Sequence, residues 1–221
     1  MDVVYLDNGT AEISMPDYVK ESIAELGECV NMTATTLSKR DLYEICEKSK
    51  VLERSEGEIF HSIVAKLLYV SHRGRLDIQL PVAFLCTRVS CSTEQDWTKL
   101  KRVLEYLNGT LEDVRIIGAD DLSKMETWVD ASYAVHMDMK SHTGGVVSFG
   151  TRAVMGKSPK QKLNTKSSTE AELVGASDYL PHTRYGQGSF CKSRATLSVE
   201  SNGCLAVKPK IPKMSYAEAP R

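Results

Sequence analysis

Apolar residues recur three and four positions apart through the first half of this chain, and at closer, strand-like spacing through much of the second. At the start, "VYLDNGTAEISM" fits a short hairpin turning at Asn8-Gly9. "PDYVKESIAEL" then predicts a helix with Pro16 at its first position and Val19, Ile23 and Leu26 on one face. The charged stretch from Glu53 to Gly57 reads as a loop, "FHSIVAKLLYVSHRG" as a buried helix ending near Gly74, and the region from Ile78 to Val89 as another apolar helix. The clearest helix is "STEQDWTKLKRVLEYLNGT". Ser92 or Thr93 can cap it, Gln95 or Asp96 follows at capping-box spacing, Trp97, Leu100, Val103, Leu104 and Leu107 line one face, and Asn108-Gly109 stops it. Its Lys99, Lys101 and Arg102 read as a solvated polar face.

After Gly109 the texture changes to short pieces rich in β-branched and aromatic residues, "VRIIGADD", "ETWVDASYAV", "GGVVSFG" and "AVMG", each bounded by turn formers. A boundary near Thr110 divides the chain into segments 1–110 and 111–221. A helix opening at "KSSTEAELVGASDYL" and a further strand at "ATLSVESNG" complete an order of strand, hairpin, helix, strand. That order predicts an α/β domain: a mixed sheet with a crossover helix packed on it, preceded by a mainly helical segment.

Composition adds exclusions. The chain has 221 residues, 42% of them hydrophobic, and a formal net charge of -1, so no global charge commits it to nucleic acid or membrane. The N-terminus has neither the basic start nor the apolar core of a signal peptide, and no stretch approaches a membrane span, which gives the expectation of an intracellular chain with no membrane partner. Six cysteines without a C-x-x-C pair read as scattered reduced thiols, and the sequons at Asn8, Asn31 and Asn108 carry little weight inside a cell.

The candidate chemistry begins with Glu170 and Glu172. Side chains two apart on a helix differ by about 200° and cannot serve one site. Ser167 and Glu170 fit a capping box, with the Glu170 carboxylate reaching back to the Ser167 amide. Glu172 lies beyond capping reach among Ala171, Leu173, Val174 and Ala176, which are expected to pack on the sheet. Alone it would read as a surface glutamate. Asp130, however, sits within the apolar strand "TWVDASYA", where a buried carboxylate calls for a cation, and two carboxylates from a strand and its adjoining helix suit a hard divalent metal. A pair of such ions can activate water for phosphodiester hydrolysis.

From Trp128 to Pro181, "WVDASYAVHMDMKSHTGGVVSFG" and "KQKLNTKSSTEAELVGASDYLP" closely resemble the ribonuclease H domain at the end of the copia-type retrotransposon polyprotein. "FHSIVAKLLYVSHRGRLDIQLPVAFLCTRV" and "DWTKLKRVLEYLNGT" are similar to the thumb and connection segment that joins reverse transcriptase to that domain. The resemblance implies a ribonuclease H-like fold, with Asp130 and Glu172 as ligands of Mg²⁺ or Mn²⁺. It also implies cleavage of the RNA strand of an RNA–DNA hybrid, and the rest of a reverse transcriptase polyprotein as a possible partner. The basic run "RAVMGKSPKQKLNTK", with Arg152, Lys157, Lys160, Lys162 and Lys166, admits two readings, phosphate contacts or a solvated loop.

Departures from the family pattern lie toward the C-terminus. The third metal-ligand position, an aspartate in the family, aligns with Ser201, and Glu200 could replace it only through a one-residue register slip. A fourth acidic ligand has no counterpart, since the chain ends in a tail in which Glu218 is flanked by proline. "HTRYGQGSFCKSR" replaces the expected next helix, so the domain reads as degenerate after about residue 182. The adjacent aspartates of a polymerase site are expected upstream of Met1, and "VYLDNG", with one aspartate, does not supply them, so no polymerase activity is expected. The expectation is a weak or inactive nuclease; a non-catalytic nucleic-acid-binding module and a decayed structural remnant are the alternatives.

Overall fold

A computed structural model describes residues 1–27, 30, 33–39, 41–121, 125–190, 194–199 and 205–210, with side chains through Pro181. Two strands, β1 (Asp2–Tyr5) and β2 (Ala11–Ser14), form the expected hairpin, in which Gly9 adopts φ +79 and Asn8 Oδ1 accepts from the Thr10 amide. Helices α1 (Pro16–Ala24), α2 (Arg54–Arg73), α3 (Gln79–Cys86) and α4 (Glu94–Gly109) follow. Their apolar stripes meet in one core built on Phe60, Ile63, Leu67, Val82, Leu100 and Leu104, all essentially inaccessible.

The N-terminus of α2 corrects the expected loop at 53–57. Glu56 reaches back to the Glu53 amide at 3.1 Å and Arg54 pairs with Glu58, so the charged run is the first turn of the helix, where carboxylates favour the positive end of the helix dipole. On α4, Thr93 and Asp96 form the anticipated capping box, and buried Asp96 also receives both carboxylate bonds from Arg88 Nε. The reading of Lys99 and Arg102 as solvated is also corrected. Lys99 Nζ donates to the carbonyls of Leu42 and Glu44, and Arg102 donates to Thr36 Oγ1, pinning Thr36, Leu42 and Glu44 to the helix.

Strand β3 (Arg115–Ile117) pairs antiparallel with β2, so the first sheet has the order β1-β2-β3 and spans the position of the expected boundary at Thr110. The second sheet contains β4 (Glu126–Ser132), β5 (His142–Ser148), β6 (Ala153–Lys157), β7 (Arg194–Val199) and β8 (Leu205–Lys210) in the order β6-β5-β4-β8-β7. Helix α5 (Ser168–Phe190) packs on β4 and β5.

Among the described residues, the architecture is α/β with two antiparallel sheets and five α-helices. This corrects the mixed sheet. Strand β7 runs in the same direction as β4, as a crossover through α5 requires, but β8 lies between them and makes every pairing antiparallel. Strand β8 also replaces the tail expected after Val207 as far as Lys210, and α5 continues to Phe190 although Pro181 withdraws one amide from its ladder.

Two polar clamps join the helical core to the second sheet. Buried Gln79 donates from Nε2 to Ser71 O and to Gly156 O on β6. The Arg115 guanidinium donates to His72 O and Arg73 O at the end of α2, and also to Ala153 O and Val154 O.

Candidate active site

Strand β4 alternates: Thr127 and Val129 are buried and Asp130 is exposed. The expectation of a buried aspartate is therefore corrected. Val129 lies on the face covered by α5, where its side chain stands opposite Gly175, and the next residue along the pleat turns away from that face.

On α5 the buried positions are Ala171, Gly175, Ala176 and Tyr179, a helical stripe. Leu173 falls outside it and is 60% exposed, which corrects its assignment to the packed face. The helix comes close because the opposing surface is small. A Cβ on Gly145 would collide with the Tyr179 ring, whose hydroxyl donates to Gly145 O at 3.2 Å and to Lys157 O at 2.5 Å.

Glu170 does cap α5, with one change of partner. Its amide donates to Ser167 Oγ, but its carboxylate accepts from the Lys166 amide at 2.7 Å, one residue before the expected Ser167.

Glu172, two residues on and about 200° further round the helix, lies against β4. Its Oε1 accepts from the Ala131 amide at 3.1 Å, while Oε2 is buried with no hydrogen-bond partner. Burial pushes the Glu172 carboxyl above the usual glutamate range; the Ala131 amide opposes this, and the charge of Asp130 adds to it. Asp130 is near enough for its charge to act on Glu172, although it turns away from the face that α5 covers. An orphaned, buried carboxylate oxygen with a second carboxylate's charge nearby is a donor set that suits a hard cation. Among the described residues no third acidic, histidine or cysteine side chain completes a cluster with them. Ser201, Glu200 and Glu218 lie outside the described residues.

The basic run divides. Arg152 approaches Asp120 at 3.5 Å and Lys160 pairs with Asp138 at 2.8 Å, whereas Lys162 and Lys166 are exposed. Lys157 shares a rung with Gly145 and Val129, two strands and about 10 Å from β4.

Sequence reasoning missed the residues that fix this geometry. Gln161 is buried and donates from Nε2 to Thr143 Oγ1 and Ala171 O, tying the start of α5 to β5. His136 and His142 share a 3.1 Å hydrogen bond beneath the Tyr43 ring. The Gly144-Gly145 pair inside a strand was the available signal for close helix approach; Gln161 and the histidines carry none.

No family model and no solved structure matches the chain. Curated relatives do. A retrovirus-related Pol polyprotein from transposon TNT 1-94 of Nicotiana tabacum is 31% identical over 120 residues, 54% of this chain and 9% of that protein. The corresponding polyprotein from transposon RE2 of Arabidopsis thaliana is 32% identical over 114 residues, 51% of this chain and 8% of its own length. An uncharacterised mitochondrial protein of the same plant is 31% identical over 114 residues, 47% of its length. The chain therefore spans less than a tenth of the length of each of these polyproteins. These matches bear out the retrotransposon resemblance read from the sequence: over about half its length, the chain is a relative of a small segment of the retrovirus-related Pol polyproteins of plant transposons.

Proposed function

We propose that this chain is a retroelement-derived, ribonuclease H-like domain that acts on the RNA strand of RNA–DNA hybrids, with weak catalysis. The observation that carries the reading is Glu172, whose buried Oε2 has no partner and which feels the charge of Asp130. Mg²⁺ or Mn²⁺ held by Asp130 and Glu172 would supply Lewis-acid activation of water at a phosphodiester. The protein's own part is positional. The Ala131 amide orients Glu172, the capping of α5 by Ser167 and Glu170 sets the helix register, and the contact of Gly145 with Tyr179 fixes the distance from helix to sheet.

Weak rather than full activity follows from the donor set: two carboxylates leave most of the coordination sphere of a hard cation to water. The exposed Lys162 and Lys166 support phosphate contact near the start of α5.

The test is cleavage of a labelled RNA–DNA hybrid in Mg²⁺ or Mn²⁺ by the chain and by its Asp130→Asn variant. Activity lost in the variant upholds the reading; no activity in either, or equal activity in both, refutes the nuclease assignment. A second reading, a nucleic-acid-binding module without chemistry, is favoured by the absence of a third ligand among the described residues. It predicts hybrid binding that weakens with salt and persists in a chelator.

A further inference from the structure

Between the C-terminal half of α2 and edge strand β6 runs an open groove whose lining includes Leu68, Tyr69, His72, Arg73, Met155 and Lys157. No carboxylate lines it among the described residues. We infer that this groove carries a nucleic-acid strand, its phosphates on Arg73 and Lys157 and a base against Tyr69. The inference rests on the nucleic-acid reading above and adds a second, separate surface to it.

Three observations converge. First, the electrostatics are one-sided. The end of a helix normally presents a partial negative charge, but the exposed carbonyls of His72 and Arg73 are taken up by the Arg115 guanidinium, which adds its own positive charge there. His72 feels the result: burial, then the charges of Lys157 and Arg73, hold its imidazole below the usual histidine range.

Second, the aromatic surface is available. Tyr69 is 44% exposed and Leu68 39%, and the neighbouring Tyr18 ring meets Tyr69 tilted at 56° rather than stacked. Arg73 lies 5.9 Å from the Tyr69 ring, so cation and aromatic sit together. Cations beside an exposed ring are what a flexible polyanion with planar bases needs, and a purely acidic peptide cannot use the ring in this way.

Third, the two walls of the groove are fixed to each other. Arg115 and Gln79 fasten α2 and α3 to β6, so both walls are held together.

The experiment is fluorescence anisotropy of the full chain with a labelled RNA–DNA hybrid over a salt series, comparing wild type, Arg73→Glu/Lys157→Glu, Tyr69→Ala and Lys162→Glu/Lys166→Glu. The expected result is about tenfold or greater weakening by the first double variant, with its salt slope reduced by about 2, one unit per phosphate contact. Arg73→Lys should restore much of the loss, and Tyr69→Ala should weaken binding without changing the slope. Melting curves of all variants that match the wild type exclude a folding origin; where one does not, the Arg73→Lys/Tyr69→Ala comparison replaces it. If wild type binds hybrid and only the Lys162 and Lys166 reversals matter, the groove assignment is overturned and the nucleic-acid reading stands. If wild type binds no hybrid, both fall. Poly-glutamate competing as well as a single-stranded oligonucleotide of equal charge also overturns the groove assignment.

Discussion

Replacing Glu172 with glutamine separates what this residue does for the fold from what it does for a ligand. In the wild type, Oε1 is bonded to the Ala131 amide, Oε2 is buried without a partner, and Asp130 adds like charge. A buried unsatisfied acceptor costs about 1–3 kcal/mol, and the half-buried setting of Glu172 puts it near the low end, about 1 kcal/mol. Glutamine keeps the acceptor for Ala131 and turns an N–H₂ group toward the side from which Asp130 acts. Glu172→Gln should therefore raise Tm at neutral pH by about 2–4 °C, the scale for a chain of this size.

The pH dependence supplies the sign. Because burial raises the folded carboxyl above its ordinary value of 4.5, folding disfavours the ionised form. The penalty is present where the carboxylate is ionised in both states and disappears as pH falls below the unfolded value. The gain in Glu172→Gln should accordingly shrink as pH is lowered from about 8 toward about 4. Millimolar Mg²⁺ should raise the wild-type Tm and leave the variant unmoved, since only a ligand that prefers the native state shifts the transition. Thermal melts by circular dichroism across pH, with and without Mg²⁺, read all of this. A variant less stable than wild type at neutral pH, or a gain unchanged on acidification, would refute the reasoning.

Two further outcomes follow from packing and burial. Gly145→Ala drives a methyl group into the Tyr179 ring and should destabilise by about 3 kcal/mol, seen as a lower urea midpoint, because the ring is fixed by its bonds to Gly145 O and Lys157 O; a midpoint within error of wild type would contradict the tight α5–β5 contact. Burial lowers His136 and His142 from 6.5 to about 4, so their contribution is complete above pH 6.5 and is lost as pH falls toward 4; His136→Asn should flatten the urea midpoint over that window, and an unchanged acid slope would count against it.

The parts of this fold legible in the sequence are those in which local chemistry and packing agree. Thr93 with Asp96 and Asn8-Gly9 in the first turn satisfy backbone groups within a few residues, Pro16 removes an amide that would have no helical partner, and each forms as anticipated. Misreadings arise where the partner is distant. Lys99 and Arg102 looked solvated because the sequence around Thr36, Leu42 and Glu44, which they hold, has no periodicity to announce it. The charged run at 53–57 looked like a loop because charge was weighed without its position at a helix start.

At the candidate site, the family resemblance named Asp130 and Glu172, but the exposure of Asp130 and of Leu173 was not legible. Both depend on which face α5 covers, and that is decided by the collision of Tyr179 with anything larger than glycine at position 145. Sheet order was less legible still, since nothing local in "LAVKPK" says that it will pair with β4 ahead of β7.

The pairing of β2 with β3 ties residues 11–13 to residues 115–117. Its closure waits on about a hundred intervening residues, and because loop-closure entropy grows only logarithmically with length, the delay is a matter of sequence order more than of energy. During synthesis the N-terminal hairpin must therefore wait, with an open β2 edge, until α1 to α4 have emerged and brought β3 into reach. A truncation that removed residues 1–14 would leave β3 itself as a bare edge beside β6, a template for pairing with another copy. The hairpin thus covers that side of β3 and hands the sheet's open edge to β1, where Val3, Val4 and Tyr5 are exposed.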